Sequence, residues 1–228
     1  MVDIKELIGK VCPEAVVEEN EVAFAVVPDA KWHAVAETLK NAGYHWLTAV
    51  VGEDWGEELG CVYYLTSVID SSMVSVKVAT TDRNNPMLHS VSDLWKNALL
   101  EEREVYDFYG IKFINHPDMR RLFLRNDWVG FPLRKDYDEN PELNPIRLYH
   151  EENDDYTVTY KEDADGNVKE EKVALFGPDE FVVNIGPQHP ATHGVLRFRT
   201  SLDGEEVKKI DLVCGYIHKK KKKLCEKL

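Results

Sequence analysis

The sequence predicts an α+β fold: a small mixed or antiparallel sheet with helices packed on one side of it, then an acidic linker, then a β-meander. Three patterns carry that expectation. Trp32, Val35, Ala36 and Leu39 repeat at i, i+3, i+4 and i+7, which predicts an amphipathic helix over residues 30–42, capped by Asp29 and stopped by Gly43. Strand-length apolar runs surround it at residues 22–27, 45–51, 61–68 and 73–79. In the last, Val74, Val76 and Val78 alternate with Met73, Ser75, Lys77 and Ala79, as in a half-buried antiparallel strand. Near the other end, residues 196–199 and 207–213 flank a turn at Asp203-Gly204, the pattern of a meander.

Between these parts, Ser92 or a neighbour is placed to cap a helix that ends at Gly110, a residue suited to the left-handed stop. Leu99, Leu100, Val105 and Phe108 give that helix its apolar surface. Arg103 and Asp107 stand four apart and are expected to pair, worth about 0.2–0.5 kcal/mol on an exposed face. Taken alone, Glu102-Arg103-Glu104 reads as a solvated helix face. His116-Pro117-Asp118 predicts a further helix start, with proline in the first turn and the acid near the positive end. Beyond it come Arg120, Arg121 and Arg125, then an irregular stretch over 127–137 rich in Trp, Phe, Tyr and Arg. That is the composition either of a protein interface or of a self-packed surface loop.

Residues 136–178 are dense in Asp, Glu and Asn and read as a linker. Within them, residues 156–160 and 168–173 flank Ala164-Asp-Gly-Asn167, a hairpin-turn sequence. The expected organisation is a scaffold domain over 1–147, an acidic linker over 148–177 and a β-meander fragment over 178–228.

Composition narrows the function classes. A net charge of −13 with 43% hydrophobic residues suits a packed domain and excludes the basic face of a nucleic-acid binder. No apolar run approaches the roughly 18 residues of a spanning helix, and the first residues lack a secretory layout, so a soluble, cytosolic-side chain is expected. Cys12, Cys61, Cys214 and Cys225 are scattered without a Cys-x-x-Cys pair, which predicts reduced thiols rather than a zinc or iron–sulfur site. No Gly-x-Gly-x-x-Gly follows a strand, so no dinucleotide site is expected here.

His189 and His193 sit four apart in a loop bounded by Gly186, Pro187, Pro190 and Gly194. Pro190 occupies the place of a zinc-protease glutamate and biases His189 toward extended backbone. With no nearby third ligand and no general base, a metal hydrolase is disfavoured. Two near-neutral imidazoles on a stiff loop suit hydrogen bonding or proton delivery to a carbonyl-type ligand, or else are simply solvated.

Longer strings add a resemblance. Glu102-Arg-Glu-Val-Tyr-Asp-Phe-Tyr-Gly-Ile111, Asn115-His-Pro-Asp-Met-Arg-Arg-Leu122 and Gly130-Phe-Pro-Leu-Arg-Lys-Asp-Tyr137, in this order, resemble the 30-kDa-type subunit of respiratory NADH:quinone oxidoreductase (complex I). Asn184-Ile-Gly-Pro-Gln-His-Pro-Ala-Thr-His-Gly194 resembles the opening of the 49-kDa-type subunit of the same enzyme. The resemblance implies a 30-kDa-type scaffold fused to the N-terminal part of the 49-kDa-type subunit, in the peripheral arm of a proton-translocating enzyme. Its place would be the cytoplasmic face of a bacterial inner membrane, with the membrane arm touched only indirectly.

It further implies that His193 hydrogen-bonds the quinone headgroup with His189 beside it. Glu102, Arg103, Glu104, Asp107, His116, Asp118, Arg120, Arg121, Arg134, Lys135 and Asp136 would serve the interfaces with neighbouring subunits. NADH, FMN and the iron–sulfur clusters would belong to those partners, and the isolated chain would be inactive. After Gly215-Tyr-Ile-His218 the family pattern continues with Arg-Gly, whereas this chain has Lys219 to Lys223. That run is either a solvated basic tail or a scar of truncation or sequence error, and the family's quinone-site tyrosine is expected beyond Leu228. Two alternatives stand beside this reading: a component of a related membrane-bound hydrogenase or ferredoxin-linked complex, and a non-catalytic interaction module.

Overall fold

A computed structural model describes residues 3–18, 22–124, 128–137, 155–188 and 195–215. The expectations for Arg125, His189, His193 and the 219–223 lysine run lie outside the described residues.

The N-terminal half builds a five-stranded sheet from β1 (Val16–Glu18), β2 (Ala23–Val26), β3 (Trp46–Asp54), β4 (Leu59–Thr66) and β5 (Met73–Thr80), in the order β1-β2-β5-β4-β3. Only the β2–β5 pairing is parallel, so the sheet is mixed. The parallel pair needs a crossover, which contains α2 (Asp29–Asn41) and the β3–β4 hairpin. Central strand β4 is almost wholly buried, as its Leu-Gly-Cys-Val-Tyr-Tyr-Leu run requires. The stripe Trp32, Val35, Ala36 and Leu39 is buried, joining the core with Tyr63, Leu65, Val74 and Val76. A short α1 (Ile4–Gly9) adds Ile4 and Ile8 to the same core.

A second sheet follows the order β6-β7-β8-β9, from β6 (Met87–His89), β7 (Lys112–Ile114), β8 (Tyr156–Glu162) and β9 (Val168–Ala174). Between β6 and β7 runs α3 (Ala98–Tyr109), which ends at Gly110 with φ of 76°. Helix α3 lies hard against β3: a Cβ added at Gly52 would stand 2.5 Å from the Tyr109 ring. Glycine at that point lets helix and strand approach. The last sheet, β10 (Phe181–Gln188), β11 (Val195–Asp203) and β12 (Glu206–Gly215), is the expected antiparallel meander.

Three expectations are corrected. Asp29 does not cap α2; it is the first helical residue, and its carboxylate accepts the His89 backbone N–H and meets the His89 ring at 2.7 Å. Helix α3 starts at Ala98 rather than at Ser92, because residues 90–93 form a turn organised around Glu102. His116-Pro117-Asp118 starts no helix; β7 is followed by Asn115 at φ 66°, and the chain stays irregular beyond it. The hairpin expected within the acidic stretch forms, and it joins the second sheet. Strand β8 pairs with β7 through Ile114 and Tyr160, while Asn115 and Met119 donate backbone N–H bonds to Tyr160 and Val158. Strand β9 pairs along its whole length with β8 and stays exposed, with surface pairs such as Lys161–Glu171 across the ladder, so its charged side chains carry no burial signal.

Candidate functional site

The residues with chemistry converge where α3, the 115–124 segment and the meander meet. Helix α3 supplies Arg103 and Asp107 from one buried face, and the expected mutual pair does not form. Instead the Arg103 guanidinium donates to the carbonyl oxygens of Arg120 and Arg121. Asp107, fully buried, accepts from the backbone N–H groups of Leu122, Phe123 and Leu124 and from the Arg121 guanidinium at 2.9 Å. Arg121 also donates to the carbonyl oxygens of Trp128 and Gly130. Two charged side chains of one helix thus fold the following irregular segment onto it. Unsatisfied backbone groups there would cost roughly 1–3 kcal/mol each, which explains why irregular chain is stable beside a core.

His116 joins the same arrangement. Its Nδ1 lies 3.0 Å from the Asp118 backbone N–H, so that nitrogen accepts and Nε2 carries the hydrogen toward the Leu99 carbonyl. Burial pushes its pKa down to about 4, and the ring is a neutral structural donor at physiological pH.

From Asp118 a chain of alternating charges leads out of the domain. Asp118 takes Arg120 bidentately at 2.6 and 2.7 Å, with Arg103 at 3.6 Å. Arg120 reaches Asp211 on β12 at 3.0 Å. Asp211 sits directly across from Arg199 of β11 in the meander register and binds it at 2.8 and 2.9 Å. Arg199 continues to Asp155 at 2.8 Å, next to β8. Arg120, Arg199 and Asp211 are each no more than 6% exposed. Burial pulls the Arg120 pKa down, but the bonds and charges of Asp118 and Asp211 outweigh it and leave that pKa raised. Burial lowers the pKa of Arg103.

A second cluster fixes the 131–137 segment. Arg83 clamps Asp54 at 2.8 and 3.0 Å and Asp136 at 3.0 Å, and the Lys135 backbone N–H donates to Asp54. Burial raises the Asp54 carboxyl pKa, yet the Arg83 bond and two backbone N–H groups win and hold it far below the carboxylate range. Arg134 donates to the carbonyl oxygens of Tyr109 and Arg83.

The residues expected at interfaces with neighbouring subunits therefore separate. Glu102, Asp107 and His116 are at most 1% exposed and pack inside their own domain, so they offer a partner no surface. The Arg121 and Arg134 head groups are bonded to local carbonyls. Glu104 is half-buried on α3, while Lys135 and Asp136 stay exposed. Arg103, Asp118 and Arg120 form the chain of charges toward the meander. Sequence reasoning missed its other half, Asp155, Arg199 and Asp211, and also Asp54 and Arg83. Arg199 opposite Asp211 was a recoverable signal, since opposite charges facing across a hairpin support each other.

Cys12 and Cys61 are buried and Cys214 is half-buried, and none of the three is in a disulfide. Among the described residues no group of three or more His, Cys, Asp or Glu side chains is placed to hold a metal ion.

Fold and geometry thus define a mixed-sheet α+β domain whose charged motif residues are bonded internally, joined by buried ion pairs to a β-meander. The family described as respiratory-chain NADH dehydrogenase, 30 kDa subunit, matches residues 25–142. The chain belongs to that family. It is 54% identical over 205 residues to the fused C/D subunit of an NADH-quinone oxidoreductase from Phocaeicola vulgatus, covering 89% of this chain and 39% of that protein. The corresponding C/D subunit from Bacteroides thetaiotaomicron is 47% identical over 220 residues, covering 92% of this chain and 41% of that protein. Matches of this length reach past residue 142 into the meander, in keeping with the resemblance to both the 30-kDa-type and the 49-kDa-type subunits. The chain spans about two-fifths of the length of these relatives. A chain of the membrane-bound sulfane sulfur reductase, an archaeal respiratory membrane complex, shares the fold with a TM-score of 0.54 at 22% identity, covering 65% of this chain and 95% of that one. Among the described residues no helix is long and apolar enough to cross a membrane.

Proposed function

We propose that this chain works as part of a fused C/D subunit in the peripheral arm of a proton-translocating NADH:quinone oxidoreductase, at the cytoplasmic face of a bacterial inner membrane. Its N-terminal domain is a scaffold that positions the meander, and the meander carries the loop with His189 and His193 toward the quinone. The observation that supports this most is the series of ion pairs from Arg103 through Asp118, Arg120, Asp211 and Arg199 to Asp155, buried at Arg120, Asp211 and Arg199 and open to solvent at Asp155. Charges this buried hold geometry rather than contribute net stability, and geometry is what a loop reaching a quinone requires. In this reading β10 and β11 anchor the two ends of the histidine loop. A neutral imidazole at His193 donates to the headgroup carbonyl, and histidine is the side chain suited to proton delivery near neutral pH. NADH, FMN and the iron–sulfur clusters belong to the partner subunits, and exposed Lys135 and Asp136 remain candidates for contact with those partners.

The test is His193→Ala in the full-length protein within its assembled complex. Quinone reduction should fall by about fivefold to a hundredfold, the loss of one hydrogen bond of roughly 1–3 kcal/mol. Assembly and NADH oxidation by artificial acceptors should stay near normal. Unchanged quinone turnover removes His193 from the quinone site.

A further inference from the structure

Glu102 and Asp107 are both fully buried carboxylic side chains of α3, and the two are treated very differently by their surroundings. Asp107 holds what an ionised carboxylate needs at zero exposure: a guanidinium and three backbone N–H groups. Glu102 holds only Ser90 Oγ at 2.6 Å, the Val91 backbone N–H at 3.0 Å and a long contact to Tyr63 Oη at 3.5 Å. Among the described residues none of its hydrogen-bond partners is a cation. Arg103, its neighbour in sequence, directs its guanidinium to the carbonyl oxygens of Arg120 and Arg121.

The groups that face Glu102 are acids or neutral dipoles. Strand β4 presents Cys61 and Tyr63, whose ring packs on Trp32 of α2, and the turn presents Ser90, Ser92 and Asp93. An unpaired buried carboxylate in that setting is costly, and such a group takes up a proton instead. The hydroxyl geometry accommodates the proton. Ser90 Oγ accepts the Ser92 backbone N–H at 3.1 Å and lies 2.8 Å from Ser92 Oγ, so Ser90 can donate onward to Ser92 while accepting from a protonated Glu102.

We propose that Glu102 is a buried proton-binding site, held as a neutral carboxylic acid in the folded protein, and that its proton fastens helix α3 to the 90–93 turn. Burial pushes this carboxyl up to about 8 against the pull of the Ser90, Val91 and Tyr63 bonds, consistent with the geometry. An ionised Glu102 would lose its donor role toward Ser90 and face the acid at Asp93. The inference does not depend on the quinone reading.

Denaturant unfolding of the full chain tests it, comparing the unaltered protein with Glu102→Gln. The amide copies the neutral acid, donating to Ser90 and accepting from Val91, but cannot ionise. A carboxyl whose folded pKa is raised contributes stability that is complete below its unfolded value and lost as pH rises through the folded value. Relative to Glu102→Gln, the unaltered chain should therefore lose about tenfold in its folding equilibrium per pH unit from roughly pH 4.5 to pH 8, then level off. A ratio that stays constant over that range overturns the proposal. Infrared spectroscopy of the unaltered chain serves if the variant fails to fold. A protonated-carboxyl C=O band near pH 6 that vanishes well above pH 8 is expected, and no such band near pH 6 overturns it.

Discussion

Asp211→Asn is the most informative perturbation of the ion-pair series. The substitution keeps size but removes the charge that Arg120 and Arg199 share, at 3.0 and 2.8 Å, and turns one of the two accepting oxygens into a donor. Breaking a buried ion pair by removing one partner costs roughly 3–5 kcal/mol, because the remaining charge stays desolvated. Here Arg120 keeps its bidentate Asp118, and Arg199 keeps Asp155, a carboxylate that is itself mostly exposed. The loss should fall near the low end, about 3 kcal/mol, and should concentrate on the attachment of the meander. Hydrogen–deuterium exchange on the full chain reads it directly. Amides of β11 and β12 should exchange on the order of a hundredfold faster, while those of β4 and β5 stay protected. Added salt should change little, since buried pairs are poorly screened. Uniform deprotection of all three sheets, or a change below about 1 kcal/mol in β11 and β12, would refute the tethering argument.

Two further outcomes follow from the same geometry. Asp107→Asn should cost about 3 kcal/mol or more in denaturant unfolding, since the Arg121 charge and three backbone donors all lose their carboxylate; a cost under about 1 kcal/mol would show that the 120–124 segment holds itself. His89 bridges Asp29 and Glu162, and the Asp29 hydrogen bond, opposed by partial burial, lifts its pKa to about 9. A raised histidine stabilises fully below its unfolded value near 6.5 and loses that contribution as pH rises through about 9. With the ring partly exposed, the contribution is about 1 kcal/mol. The gap in stability between the unaltered chain and His89→Ala should narrow by that amount between neutral pH and about pH 10, and a gap independent of pH would count against the bridge.

The elements that sequence made legible are those whose periodicity matches their burial. The α2 stripe, the β5 alternation, the stops at Gly43 and Gly110 and the meander turn at Asp203-Gly204 all return in the structure. The charged helix face did not read correctly. Glu102, Arg103 and Asp107 look like a solvated face because helical spacing cannot show that distant segments cover them, the 90–93 turn at Glu102 and the irregular 120–124 segment at Arg103 and Asp107. Within the acidic stretch the turn sequence at 164–167 announced the hairpin, but not its pairing with β7, since β9 exposes nearly every side chain and composition there reports solvent. The interface motifs were found as strings, but their roles depend on partners such as Asp211, 91 positions from Arg120. No local pattern carries a contact of that separation.

Service in a quinone-reducing respiratory complex is tested most directly on the full-length protein. It would be tagged and purified from the membranes of its native host, and the isolated material assayed for NADH-driven quinone reduction. Flavin- and iron–sulfur-bearing partners should accompany it, and NADH should reduce added quinone. Emergence without those partners, or in a complex that oxidises another donor or leaves quinone unreduced, would contradict the proposed function.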